Sequence, residues 1–375
     1  MSAYALLAHA WGAEVAGWDR NDTSYAERVR AAGIPVAISA EPEPPTGWEV
    51  FVSSAYDFPG RARAELLAEL VSLRRSVVVS GTHGKTTTAG MIAYCLARLG
   101  RDPAFLIGGE IPQLGGNAGA GEGWLVAEGD ESDRTVERLR PEIGVVTNVE
   151  LDHHTTFSSQ AEVDAMFERW LANVPHAVRG WELEPAEIPL ALRGEHNRRN
   201  AACALAALEL CEVDPADAAP VLAEFRGAGR RFELVGEPRG IAVYDDYAHH
   251  PSEVDAAIAA ARETASGRVI AAFQPHLYSR TRHLSREFAV ALSRADAVCV
   301  TEIYAAREEP VEDVSGKLVV DALAEVRPGA TVGWTPSLDH AVSFVAARAE
   351  PGDVAVTIGA GDIDSAARRL VEVLG

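Results

Sequence analysis

The stretch Ser76-Val77-Val78-Val79-Ser80-Gly81-Thr82-His83-Gly84-Lys85-Thr86-Thr87-Thr88 decides the fold. Three consecutive valines predict a buried strand, and Met91, Ile92, Cys95, Leu96 and Leu99 follow at helical spacing. A glycine-bearing loop between a strand and a helix holds phosphates with backbone N–H groups and the helix N-terminus. Lys85 then reaches the outer phosphates, and a hydroxyl such as Thr86 can bind Mg²⁺. The loop departs from the general pattern, because the position five before Gly84 is Val79 and not glycine. Composition singles out the lysine: of 34 basic residues only Lys85 and Lys317 are lysine. A compact ammonium retained against that bias suits a phosphate loop.

Outward from this unit, the chain alternates helical and extended pieces. Upstream, Ala3 to Ala10 and Tyr25 to Ala32 read as helices, and Glu14 to Trp18 and Val50 to Ser53 as extended. Downstream, Trp124 to Ala127 and Ile143 to Thr147 read as strands. Residues 175–189 carry little pattern, and an alanine-rich helix starts near Asn200. From Ile241 strands and helices alternate again, with strands at Ile241 to Tyr244, Val269 to Phe273, Ala297 to Thr301 and Val354 to Ile358. The pattern predicts an α/β protein with parallel, doubly wound sheets. At 375 residues the chain is long enough for two or three domains, with boundaries expected near 75 and 232.

Hydrophobic residues at 47% and charged residues at 24% describe a water-soluble globular composition. No apolar run approaches the roughly 20 residues of a membrane span, and no secretory signal is legible, so a cytoplasmic protein is expected. A formal net charge of −21 argues against nucleic acid and anionic membrane partners. Cys95, Cys203, Cys211 and Cys299 lack zinc spacing and read as reduced, buried thiols.

Several polar clusters follow strand ends, where open α/β sheets bind ligands. Glu128-Gly129-Asp130-Glu131-Ser132-Asp133 is either a metal-binding carboxylate set or a solvated acidic loop. Thr147-Asn148-Val149-Glu150-Leu151-Asp152-His153-His154 offers a histidine to a second metal, or a structural pair. Gly194 to Asn200, Asp245 to Pro251 and Gln274 to Arg282 each admit a ligand role or a capping role.

Taken in order, these motifs, with Gly229-Arg230-Arg231-Phe232 and Gly359-Ala360-Gly361-Asp362-Ile363, resemble the UDP-N-acetylmuramate:L-alanine ligases of the Mur ligase family over nearly the whole chain. The resemblance implies three domains: 1–75 for the UDP-sugar, 76–232 as the ATPase, and 233–375 as a Rossmann-like domain that binds the amino acid and closes over the site. It implies an ATP-dependent reaction of peptidoglycan precursor synthesis through an acyl phosphate, with two Mg²⁺ ions, Mn²⁺ being an alternative. By that resemblance Gly81, Thr82, His83, Gly84, Lys85, Thr86 and Thr87 hold ATP, and Thr86, Glu128 and His153 serve the metal ions. Asn197 and Asn200 lie near adenine, and Arg231 and Asp246 touch the nucleotide. Tyr247, His249 and Arg280 sit near the reacting carboxylate and the incoming alanine, and Asp19, Ser53 and Ser54 line the UDP-sugar site. Lys85, His153, His249 and Arg280 form the catalytic set, and a monomer or weak homodimer is expected.

Two departures from the family follow. Members begin with a strand and a glycine-rich loop ending in Gly-Met-Ser, whereas this chain opens on Met1-Ser2, as if cut inside that loop. The central domain is also short by several tens of residues between Trp170 and Leu190. No lysine lies between Lys85 and Lys317, so the carbamylated lysine of some relatives is not expected. Two other readings share the loop: a ligase that recycles a ready-made tripeptide, and a nucleotide-binding regulatory protein. The Glu128 to Asp133 run favours the alanine ligase.

Overall fold

The computed structural model describes residues 1–53, 56–152, 156–306 and 308–375. These divide into two compact units, 1–191 with 197–226, and 192–196 with 227–375.

The first unit contains β1 (Gly17–Asp19), β2 (Val36–Ile38), β3 (Phe51–Val52), β4 (Arg61–Ala62), β5 (Ser76–Ser80), β6 (Ala104–Ile111), β7 (Gly116–Gly119), β8 (Leu125–Glu128), β9 (Ile143–Val146) and β10 (His176–Arg179). Its main sheet has the order β10-β9-β5-β8-β6-β7, parallel throughout except for β7, which runs antiparallel to β6. All five residues of β5 are buried, as a central parallel strand covered on both faces requires. One face packs Val78, Leu125 and Ala127 against Leu67, Leu70 and Val71 of helix Arg63–Ser72 and Phe167, Trp170 and Leu171 of helix Gln160–Leu171. Trp170 satisfies its indole by donating to the Leu139 carbonyl at 3.0 Å. Helix Lys85–Arg98, buried from Thr87 to Leu96, packs against helix Pro215–Ala223. Two-stranded parallel pairs β1–β2 and β3–β4 complete the unit.

In this unit β2, β4, β6, β7 and β10 were not read as strands from the sequence. Strand β10 falls in the stretch read as unpatterned, since only Val178 of its four residues is buried and an edge strand loses its alternation. The helix expected from Asn200 begins at Glu195, because its first turn is polar.

The second unit carries β11 (Glu233–Gly236), β12 (Ala242–Asp246), β13 (Val269–Phe273), β14 (Ala297–Val300), β15 (Thr331–Trp334) and β16 (Val354–Ile358) in the order β11-β12-β16-β13-β14-β15. Only the edge strand β11 is antiparallel. Period-two alternation splits the strands between two cores. Val269, Ala271 and Phe273 join helices Pro251–Thr264, Tyr278–Leu292 and Lys317–Val326 on one face. Ile270 and Ala272 join helices Leu338–Ala346 and Asp364–Leu374 on the other. Because β16 inserts between β12 and β13, the carboxyl ends of these three strands meet at a topological switch point, the place where such sheets bind ligands. Among the described residues no helix is long and apolar enough to cross a membrane.

Candidate active site

In the first unit the phosphate loop leaves β5 and is held on one side by the end of β9. Thr82 donates its amide to the Asn148 carbonyl at 3.1 Å, and its hydroxyl donates to the Glu150 carbonyl at 3.0 Å. The His83 amide donates to Asn148 Oδ1 at 2.9 Å, and the His83 carbonyl accepts from Thr147 Oγ1 at 2.5 Å and Asn148 Nδ2 at 2.9 Å. The His83 ring lies 3.2 Å from Glu150 Oε2. Two glycines are obligatory for the loop's shape. Gly81 has φ +125°, and a Cβ there would stand 2.2 Å from Thr147 Oγ1; Gly84 has φ +80°, and its Cβ would stand 2.3 Å from Asn200 Oδ1. Asn200 thus seals the loop against the helix that also carries Asn197, both side chains being buried.

Gly84 caps helix Lys85–Arg98 with no side-chain hydrogen bond and no acid in the first turn, which leaves the positive end of the helix dipole facing the loop. Lys85 Nζ donates to the carbonyls of Gly81 at 2.7 Å and Thr82 at 3.1 Å and stands 2.8 Å from Glu131 Oε2. Burial acts to depress its pKa, but Glu131, with Asp130 and Glu128, more than offsets this, and the pKa is held above the ordinary lysine value. The ammonium is therefore charged at neutral pH. Thr86 Oγ1 donates to Glu128 Oε2 at 3.2 Å, and Glu128 Oε1 accepts from the Gly108 amide at 2.6 Å. A hydroxyl and an oriented carboxylate beside a phosphate loop are the hard oxygen donors that suit Mg²⁺. Thr87, also expected at the nucleotide, is buried in the helix. His153 and Ser54 lie outside the described residues.

In the second unit the switch point gathers Asp246, Tyr247, His249, Arg231 and Arg280. Asp246 accepts from the amides of Phe232 at 2.7 Å and Ala248 at 2.8 Å. Burial pushes its carboxyl up to about 7, against the opposing pull of Arg231 and these two amides. The Arg230 and Arg231 guanidiniums lie 5.1 and 5.2 Å from the Tyr247 ring centroid. His249 Nδ1 lies 3.0 Å from the Tyr247 carbonyl. Since that carbonyl only accepts, the ring proton belongs on Nδ1 and Nε2 is left as an acceptor. Burial first, and then Arg280 and Arg231, lower the His249 pKa even though Glu253 opposes them, so the imidazole is neutral at pH 7. Arg280, 5% exposed, has a terminal nitrogen 3.4 Å from His276 Nδ1.

Of the residues read toward a UDP-sugar, Asp19 ends β1 and accepts the Tyr56 hydroxyl at 2.9 Å, while Ser53 follows β3. Trp18 packs edge-on against Tyr56 with ring centroids 5.1 Å apart. Glu131, Thr147, Asn148 and Arg230 stood inside the motifs read from the sequence but were given no role of their own. The signal was their position immediately after strands or beside a singled-out arginine, but no spacing announces which loop each one holds.

The chain matches the Mur ligase middle domain over residues 79–179 and the Mur ligase glutamate ligase domain over residues 230–361. It is 38% identical to the UDP-N-acetylmuramate–L-alanine ligase of Rubrobacter xylanophilus, covering 99% of this chain and 97% of that one. The corresponding enzyme of Pelotomaculum thermopropionicum is 35% identical over 100% and 95% of the two chains. The crystal structure of UDP-N-acetylmuramate-alanine ligase from Thermotoga maritima superposes with a TM-score of 0.80 at 26% identity, covering 99% and 96%. The Rubrobacter match runs over 432 aligned positions, more than the 375 residues here, so several tens of positions in that relative have no counterpart within this chain. With the phosphate loop, the strand-end carboxylates and the switch-point cluster in place, and with relatives of one kind matched nearly end to end, the chain belongs to the UDP-N-acetylmuramate–L-alanine ligase family of Mur ligases.

Proposed function

We propose that this chain joins L-alanine to the carboxylate of UDP-N-acetylmuramate at the expense of ATP, through an acyl phosphate, in peptidoglycan precursor synthesis. The observation that carries this reading is the phosphate loop: a charged Lys85 and an uncapped helix N-terminus beside the Thr86–Glu128 oxygen pair, in a chain matched end to end by alanine ligases. Residues 1–75 would hold the UDP-sugar, 76–232 ATP and 233–375 the amino acid.

The chemistry follows from the groups present. A carboxylate is a poor electrophile with a poor leaving group, and phosphorylation supplies the leaving group. Lys85 and the loop amides hold the γ-phosphoryl group for in-line attack by a carboxylate oxygen, and they stabilise charge spreading over its other oxygens. Thr86 and Glu128 would hold one Mg²⁺ and His153 a second, Mn²⁺ being an alternative, and ions held there would offset repulsion between the anionic reactants. Asn197, Asn200, Arg231 and Asp246 serve the nucleotide. Asp19, Ser53 and Ser54 serve the UDP-sugar. In the second unit Arg280 pairs with the alanine carboxylate, Tyr247 lines the site, and the free Nε2 of neutral His249 takes a proton from the ammonium, so that a free amine attacks the acyl carbon. Phosphate then leaves with the former carboxylate oxygen. We place the reaction in the cytoplasm, with the chain acting as a monomer or weak homodimer.

Labelling the muramate carboxylate with ¹⁸O tests the route directly. Transfer of one label to the released phosphate is expected, the other staying in the amide carbonyl; unlabelled phosphate with the second label lost to water would exclude an acyl phosphate.

A further inference from the structure

We infer that Arg230 is a positioning residue of the amino-acid site, pinning the Tyr247 ring and the Gly359–Gly361 turn to the end of β12. Its guanidinium contacts the end of β12, the Tyr247 ring that follows that strand, and the turn after β16. Nε donates to Asp245 Oδ2 at 2.9 Å, one terminal nitrogen donates to the Gly361 carbonyl at 2.9 Å, and the other donates to the Gly359 carbonyl at 2.8 Å. The ring of Tyr247 lies 5.1 Å from its Cζ, and the Tyr247 amide donates to the Arg230 carbonyl at 2.7 Å. Asp245, which anchors this fork, is 2% exposed and takes the Thr357 hydroxyl on its other oxygen at 2.6 Å. One side chain therefore joins the ends of β12 and β16 and the turn that follows β16.

The backbone at Arg230 is held with φ +59°, a left-handed conformation that a non-glycine residue adopts only when its surroundings impose it. The Arg230 amide donates to Glu233 Oε2 at 2.7 Å, which fixes that bend. A planar fork of donors satisfies an in-plane carboxylate and two divergent carbonyls at once while its face lies against an aromatic ring. A lysine ammonium can meet only part of that set from a single point.

The inference rests on the reading that Tyr247 faces the incoming alanine, and its test separates the two. Steady-state kinetics of the full chain with ATP, Mg²⁺, UDP-N-acetylmuramate and L-alanine would be measured for Arg230→Gln, Arg230→Lys, Arg230→Ala and Tyr247→Ala, alongside thermal melting. Arg230→Gln is expected to raise the alanine KM about 10-fold with the ATP KM within about 2-fold of wild type. Arg230→Lys, which keeps the charge and carries the test should the glutamine variant not fold, is expected to show the same selective rise. Low-millimolar guanidinium is expected to lower the alanine KM of Arg230→Ala. A structural role alone would reduce melting temperature and active fraction without moving one KM against the other, and that result overturns the inference. If Tyr247→Ala raises the alanine KM but no Arg230 variant does, Arg230 loses its role and the site reading stands. If Tyr247→Ala leaves the alanine KM unchanged, the site reading falls and the inference falls with it.

Discussion

Lys85 Nζ stands 2.8 Å from a carboxylate oxygen of Glu131, a residue only 2% exposed and 46 positions further along the chain. The pair joins the first residue of the phosphate-loop helix to the acidic run after β8, so that the cation needed for phosphate is held in place by the fold itself. Lys85→Met removes the ammonium but keeps the buried carboxylate, and is expected to cost about 2–4 kcal/mol of stability. Adding Glu131→Gln should restore part of that loss. Urea unfolding of the two single variants and the double variant measures the coupling, and strictly additive losses would show that the pair is not energetically linked.

Gly84→Ala combines a left-handed backbone with a Cβ 2.3 Å from Asn200 Oδ1. Non-glycine residues pay roughly 1–2 kcal/mol for that backbone alone. ATP binding by the full chain, followed calorimetrically, should weaken by more than about 10-fold, 1.4 kcal/mol being a factor of ten. Judged against Asn200→Ala alone, since Asn200 itself serves the nucleotide, the double variant should still bind ATP more weakly, because the contact is relieved but the backbone strain is not. Full recovery would mean that the side-chain clash was the whole effect.

Asp246 makes the stability depend on pH. Its carboxyl is pushed from 3.8 to about 7, chiefly by burial. The folded chain thus keeps a proton that the unfolded chain has released. This contribution is full below the unfolded value and is lost as pH rises through the folded one. Asp246→Asn cannot ionise, so the stability of the wild type relative to this variant should fall between pH 4 and 8, on the order of a few kcal/mol in total. Denaturant titrations of both proteins across that range check this, and a constant difference would show that Asp246 is ionised throughout.

If Arg280 pairs with the alanine carboxylate as proposed, Arg280→Ala should raise the alanine KM about 100-fold, the loss of a charge-assisted bidentate contact. The ATP KM should hold. Initial rates at varied alanine and fixed saturating ATP distinguish this from a general loss of activity, in which both constants or kcat alone would change.

The phosphate loop was legible because strand, loop and helix are contiguous, so one window of sequence contains the whole device. The same held for β13 and β16 of the second unit, buried end to end, whereas the edge strands β11 and β15 have no buried residue and were not read. What escaped is non-local or at an edge, with one exception: the interior strand β6, whose Gly108 and Gly109 interrupt its apolar run. Asn148 reaches His83 across 65 positions, and nothing in either local sequence names the other. β7, with two glycines in four residues, and β10, with only Val178 buried, carry no alternation to read. Arg230 and Arg231 are neighbours in sequence; the family resemblance points to Arg231, while only the folded strand ends reveal what Arg230 holds together.

A ligase of the kind proposed consumes ATP only when both acceptor and amine are present. Phosphate release by this polypeptide with Mg²⁺ should be measured with ATP, UDP-N-acetylmuramate and L-alanine, and again with each omitted, together with mass-spectrometric detection of the product. Sustained release only with all three, matched by UDP-N-acetylmuramoyl-alanine, is the predicted result. Release that is indifferent to alanine and to the UDP-sugar, or nucleotide binding with no amide formed, would contradict it.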